Sequence, residues 1–208
     1  MPINAFCTAA PKLAAEHCDE VYYCGEGECF GSAVIVYEPF SVGTTAKHIY
    51  LPSMTDESDL ESFCDHIVST DATALVRASY DLDEAGLIEA RYKLSPIMLL
   101  HKMGVLDRCT VVGGVCLDND DLDLMAQDGV SLVVTPTASA GYGHGFAPTC
   151  AALRRGIRVG IGTFDGRYNA AHDIKYETEI LRLTANAEMR TENAVSDEQL
   201  EKLLSFVK

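Results

Sequence analysis

Cysteine, histidine and aspartate are the side chains most often used as nucleophile, general acid–base and orienting carboxylate. Cys116, His144 and Asp165 are the catalytic candidates of this chain. Their order fits no familiar Cys-His-Asn/Asp arrangement, and cysteine in a core strand is more commonly packing. Arg77 and Arg167 could hold an anion, because a guanidinium offers a rigid fork of donors to a carboxylate or phosphate. Tyr50 and Ser139 would add hydroxyls to the same ligand-binding set. Arg77 also has a structural reading, as an ion pair with Asp165 or another acid. ASAGYGHGFAP (138–148) reads as a glycine-rich loop entering a helix that Pro148 starts, a place where backbone N–H groups attract anions. Cys18, Cys24 and Cys29 are separated by five and four residues. Zinc ligands usually come in pairs with about two to four residues between them, so ordinary strand and turn cysteines are expected there. No Gly-x-Ser-x-Gly elbow and no P-loop occur, and GEGECFG (25–31) is not followed by a helical pattern. Nucleotide and cofactor fingerprints are therefore missing, and no cofactor is expected. His48 and His66 read as structural.

Residues so far apart in the chain need a scaffold to bring them together. Eight short β-rich runs can supply one: 3–6, 20–24, 33–37, 47–51, 73–78, 110–115, 131–135 and 158–163. Several are almost wholly apolar (SAVIVYE, CTVVGGV, VSLVVTP), the mark of parallel strands covered on both faces. Helical patterns separate the later runs. Ser95-Pro96 opens one that Gly104 ends, Asn119 can cap another that stops at Gly129, and Pro148 opens a third that reaches Gly156. Residues 173–188 form a further amphipathic stretch, and Ser196 with Gln199 makes a capping-box start for the last helix. This rhythm implies right-handed βαβ units. Between the second and third runs only CGEGECFG intervenes, which predicts an antiparallel hairpin. With no repeat, linker or low-complexity tract, residues 1–208 read as one domain.

Composition narrows the function classes. The 208 residues are 48% apolar, an ordinary globular value, and carry a net charge of -15. That charge repels phosphate backbones and anionic lipid, so neither nucleic acid nor membrane is an expected partner. Neither a signal peptide nor an apolar run of membrane-spanning length is legible. The eight cysteines therefore read as reduced and mostly buried, and a cytoplasmic location is expected.

SPIMLLHKMGVLDRCTVVGGVCLDNDDLDLMAQDGVSLVVTPTASAGYGHGFAPTCAALRRGIRVGIGTFDG (95–166) resembles the amidohydrolase superfamily, closest to its cytosine-deaminase and chlorohydrolase branch. The match runs from the helix before the sixth strand through the eighth. KHIYLPSMTDESDLESFC and ALVRASYDLDEAGLIEARY resemble the family's fourth and fifth strands with their helices. PINAFCTAAP is similar to its first strand, although VGTTAKHIY can also be set against the second. The resemblance implies a TIM-like (β/α) barrel, trimmed or irregular at its N-terminal end and without the family's β-sandwich. It also implies a metal-dependent hydrolase acting on C–N bonds. The family's metal ligands, however, are His-x-His after strand one, His after strands five and six, and Asp after strand eight. Here Phe6 and Thr8, Arg77, Gly113 with Cys116, and Phe164 stand at those positions, so no metal site is expected. The site residues would then face the C-terminal mouth of the barrel. Three readings follow: a degenerate barrel that binds a small anion or a protein partner; a hydrolase with chemistry rebuilt from Asp165, His144 and Cys116; and a subunit of a homo-oligomer.

Overall fold

The segments 109–113 and 131–134 are buried at every position. A strand with no wet face needs cover on both sides, and a closed parallel barrel ringed by helices supplies it. The computed structural model describes residues 4–9, 11–16, 19–25 and 34–205. The strands are β1 (Asn4–Cys7), β2 (Glu20–Cys24), β3 (Val34–Pro39), β4 (His48–Leu51), β5 (Thr73–Ala78), β6 (Cys109–Gly113), β7 (Ser131–Val134) and β8 (Val159–Phe164). They join in sequence order into a closed barrel, with β1 paired to both β2 and β8. The helices are α1 (Pro11–Ala14), α2 (Glu57–Ser69), α3 (Leu82–Tyr92), α4 (Pro96–Lys102), α5 (Asn119–Gln127), α6 (Pro136–Gly141), α7 (Thr149–Arg154), α8 (Ile174–Met189) and α9 (Asp197–Leu204).

Alternation along each strand sorts side chains between two cores. On β5, Ala74, Val76 and Ala78 pack outward under the helices, while Leu75 faces the barrel interior. The interior is filled chiefly by aromatic rings: Phe6, Tyr22, Tyr37 and Tyr50, with Val112 and Val133. Phe6 and Tyr50 meet edge to face at 6.3 Å between centroids. Gly162 of β8 makes room for Phe6, since a β-carbon there would lie 2.7 Å from both the Phe6 ring and its carbonyl oxygen.

Several expectations need correction. The TIM-like barrel is as expected and is irregular rather than trimmed at its N-terminal end: β1 to β3 complete it, but α1 has only four residues and the β1–β8 register shifts between Phe6 and Cys7. Residues 47–51 supply the fourth strand, which removes the alternative of setting them against the family's second. The pair β2–β3 is parallel, with Val21 opposite Val34 and Cys24 opposite Tyr37, not a hairpin. The nine residues 25–33 between them can span up to about 30 Å when extended, enough to return past a strand of five residues. Closure of the barrel requires that direction. The cap of α5 is Asp118, not Asn119. Its carboxylate accepts from the Asp121 N–H at 2.9 Å, while Asp121 reaches back to the Asp118 N–H, a reciprocal pair that Asn119 has no partner to form. Finally, 138–141 is helical rather than loop, because Pro136 starts α6 at its first position. Its fixed φ favours entry into a helix. The other starts fall where the sequence puts them: Ser95 caps α4, Asp173 caps α8 and Ser196 with Gln199 boxes α9.

Candidate functional site

Arg77 lies near the C-terminal end of β5, one residue pair from Gly113 in the β5–β6 register. Leu75, two residues earlier, faces inward, so alternation turns Arg77 into the barrel mouth. Its guanidinium carbon sits 3.4 Å from the centroid of the Tyr80 ring and 5.1 Å from that of Phe164. Such stacking satisfies the face of the guanidinium and leaves its N–H edge for an anion. Among the described residues no carboxylate lies within ion-pair distance of Arg77; the six ion pairs involve other groups. The structural pairing with Asp165 is therefore not formed. Asp165 instead accepts from the Tyr142 hydroxyl and, at 3.1 Å, from the Arg167 N–H. That carboxylate pushes the Tyr142 phenol up.

Two non-glycine residues with left-handed backbone flank this spot: Ser79 (φ 51°) and Phe164 (φ 52°). Ser79 Oγ is also buried without a hydrogen-bond partner among the described residues. Such conformations cost on the order of 1–3 kcal/mol and gather at functional sites. Gly113 has φ 99°, and a β-carbon there would meet the Tyr80 β-carbon at 2.7 Å, so Tyr80 closes over the place where a histidine is absent.

A narrow crevice of about 20 Å³, room for roughly one water molecule, lies against Arg77, Tyr80, Ser139, Tyr142, His144 and Phe164. Ser139 Oγ is 3.3 Å from Thr135 Oγ1. The His144 ring lies 5.7 Å from that of Tyr142, stacked on it, and 5.8 Å from that of Tyr80. Its Nε2 is 3.9 Å from Asp81 Oδ2. Cys116 is half-buried; burial first, then the charges of Asp81 and Glu84, push its thiol up. Among the described residues no hydrogen bond joins any two of Cys116, His144 and Asp165. Arg167 lies outside the Arg77 crevice, with its guanidinium over Tyr142 and Tyr168. Tyr50 is buried inside the barrel beneath the mouth, and burial raises its phenol far above the ordinary range. Cys24 is buried on β2, whereas Cys18 and Cys29 lie outside the described residues.

Glu84 escaped the sequence reading. It is 1% exposed, in the first turn of α3, and its Oε2 accepts from the Tyr80 N–H at 3.3 Å. Burial pushes its carboxyl up to about 7, and the Tyr80 and Met54 N–H groups and Arg77 offset only part of that. Asp81 and Glu84 look like ordinary helix-start punctuation, with Asp81 capping the Glu84 N–H at 2.8 Å. That pattern carries no signal of burial. Tyr142 was missed for a similar reason, as a residue of an apparent loop.

A divalent metal of the kind the resemblance implies does not fit these groups. Phe6 is a buried interior side chain, Gly113 offers no donor, Phe164 stacks toward Arg77, and the Arg77 cation repels a second cation. Among the described residues no three His, Cys, Asp or Glu side chains cluster as a metal cage. No helix among them is long and apolar enough to cross a membrane.

No protein-family profile matches the chain. A 5-methylthioadenosine/S-adenosylhomocysteine deaminase of Caldicellulosiruptor saccharolyticus is 28% identical over 130 residues, covering 62% of this chain and 30% of the relative. Among solved structures, a zinc-bound adenosine deaminase from Xanthomonas campestris superposes with a TM-score of 0.70 at 20% identity, covering 84% of this chain and 38% of that one. An atrazine chlorohydrolase from Arthrobacter aurescens complexed with zinc gives 0.69 at 17% identity, covering 97% and 53%. These structural likenesses carry the barrel fold. The chain spans less than a third of the length of the first curated relatives, 30% and 26%.

Proposed function

We propose that this chain, which matches the barrel portion of the amidohydrolase superfamily in sequence and fold, binds a small anionic molecule at its mouth through Arg77 and does not perform metal-dependent hydrolysis. The deaminase and hydrolase relatives support a hydrolase-like scaffold. The observation that carries the proposal is the Arg77 guanidinium: stacked on Tyr80, lining a narrow crevice at the mouth, and without a carboxylate partner among the described residues. A cation half-withdrawn from water and left unpaired is costly, and an incoming carboxylate or phosphate oxygen would relieve that cost with charge-assisted hydrogen bonds. Ser139 supplies a hydroxyl on the same wall. The fixed charge takes the place that a metal would hold on this scaffold. It can orient an anion, but it cannot lower the pKa of a bound water as a metal does.

A hydrolase rebuilt from Cys116, His144 and Asp165 is not favoured. The Cys116 thiol is pushed away from thiolate formation, and Asp165 is engaged by Tyr142 and Arg167 rather than by His144.

Titration calorimetry with sodium butyrate and with inorganic phosphate tests the reading, on the wild-type protein and on Arg77→Ala. Charge-assisted hydrogen bonds are worth about 1.5–3 kcal/mol each, so the substitution is expected to weaken binding by about 10- to 100-fold. Equal affinity in the two proteins, or no binding of either anion by the wild type, would overturn the assignment.

A further inference from the structure

Glu84 and Arg77 are linked through Tyr80. The Glu84 side chain is buried, and its Oε2 accepts from the Tyr80 N–H at 3.3 Å. The ring of the same tyrosine carries the Arg77 guanidinium, 3.4 Å from its centroid. The carboxyl group thus holds the backbone of the residue on which the cation rests. Its other oxygen, Oε1, is buried and makes no hydrogen bond of ordinary geometry among the described residues. A carboxylate with one long bond and one orphaned oxygen is poorly compensated for its lost water. Arg77 is outside ion-pair distance, yet its charge still favours the ionised form of Glu84. We propose that Glu84 is a positioning residue coupled to the Arg77 site by a proton: an anion that binds at Arg77 draws a proton onto Glu84.

The coupling follows from the placement of the two groups. An anion on Arg77 cancels the positive charge that helps to keep Glu84 ionised, and adds a negative charge beside it. Glu84 then takes a proton from the solvent. One O–H bond forms on its carboxyl group, and no other bond changes. The protonated group keeps a carbonyl oxygen for the Tyr80 N–H, so the tyrosine stays in place under the guanidinium. Linkage is reciprocal: a neutral Glu84 no longer competes for Arg77 and makes it the stronger anion site. Among the described residues, the titratable groups that act on Glu84 or feel its charge are Arg77, Tyr80, Asp81, Tyr50 and Cys116. Burial raises both tyrosines and Cys116, which leaves them neutral near pH 7. Glu84 itself is pushed up to about 7 by burial. His144, on the crevice wall and 3.9 Å from Asp81, is the rival proton acceptor, because histidine can gain charge in the same range.

The inference rests on the anion-binding reading of Arg77, and the pH dependence of binding separates the two. Sodium butyrate does not titrate between pH 6 and pH 8. Its affinity would be measured by calorimetry at both values for the wild type, Arg77→Ala, Glu84→Gln and His144→Gln. A coupling factor of about ten, acting on a carboxyl near 7, predicts wild-type binding about fivefold weaker at pH 8 than at pH 6. Glu84→Gln should bind with nearly the same affinity at both values, whereas His144→Gln should keep most of the change. Titration of the wild type at pH 7 in two cationic buffers of unequal ionisation enthalpy should show uptake of about 0.4 proton per anion bound. That measurement keeps the inference falsifiable even where a variant fails to fold. Butyrate affinity equal at pH 6 and pH 8, no proton uptake, or a pH dependence that survives in Glu84→Gln and vanishes in His144→Gln would overturn the coupling and leave the anion site standing. No binding to the wild type, or equal binding by the wild type and Arg77→Ala, would overturn both.

Discussion

Replacing Glu84 with glutamine should change how stability depends on pH, in a direction set by its burial. Glu84 has a carboxyl raised from 4.5 to about 7 in the folded protein. A carboxylic acid with a raised value is held protonated by the folded state. Its contribution is fully favourable below the unfolded value and is lost as pH climbs through the folded one. At about 1.4 kcal/mol per pKa unit, the wild type should lose about 2.5 kcal/mol relative to Glu84→Gln between pH 5 and pH 8. The residue is 1% exposed, so screening by solvent does not reduce this much. The glutamine keeps an acceptor for the Tyr80 N–H and carries no charge at either pH. Other buried acids, Asp121 and Glu177, are also raised by burial but are common to both proteins and cancel in the difference. Urea or thermal unfolding at the two pH values reads it directly, as a gap in Tm that widens by about 5–10 °C for a chain of this size. A gap that stays constant, or widens toward acid, would mean that Glu84 is ionised throughout and held by Arg77, and the burial argument would fail.

Gly162→Ala should destabilise the protein by about 1–3 kcal/mol, because the new methyl group would meet the backbone oxygen and ring of Phe6 at 2.7 Å; denaturant midpoints check this, and an unchanged midpoint would show that β1 yields easily. Cys116 should alkylate with iodoacetamide more slowly than a free thiol at pH 8, since burial and the nearby Asp81 and Glu84 charges raise it. Peptide mapping of the labelled protein measures that rate, and labelling faster than glutathione would contradict it.

All eight strands were legible in the sequence, several of them because strands covered on both faces leave apolar runs such as Val111–Val112 and Leu132–Val134. Helix starts were legible where one residue type dominates the cap, as at Ser95 and Ser196. At α5 two adjacent candidates compete, and the choice of Asp118 rests on a reciprocal bond to Asp121. The parallel direction of β2 and β3 was hidden, because direction is fixed by closure of the whole barrel rather than by the short segment between them. In the mouth, Arg77, Ser139 and His144 were named from the sequence and line one crevice. Tyr50 was named too but lies beneath that crevice, in the barrel interior. Whether an inward strand position reaches the mouth or the barrel floor depends on strand stagger, which alternation alone does not encode. The burial of Glu84 and the convergence of Tyr80, Tyr142 and His144 on one crevice arise from how α3 and the chain after α6 come together.

Metal content is the measurement that bears most directly on the central claim, that a fixed guanidinium has replaced the metal of this scaffold. The purified protein would be incubated with excess zinc, dialysed and assayed by elemental analysis beside Arg77→Ala. Far less than one zinc per chain is expected in both proteins, since removing the cation restores none of the missing donors. About one tightly held zinc per wild-type chain, lost when Asp165 or Cys116 is substituted, would contradict the claim and make hydrolysis the leading function.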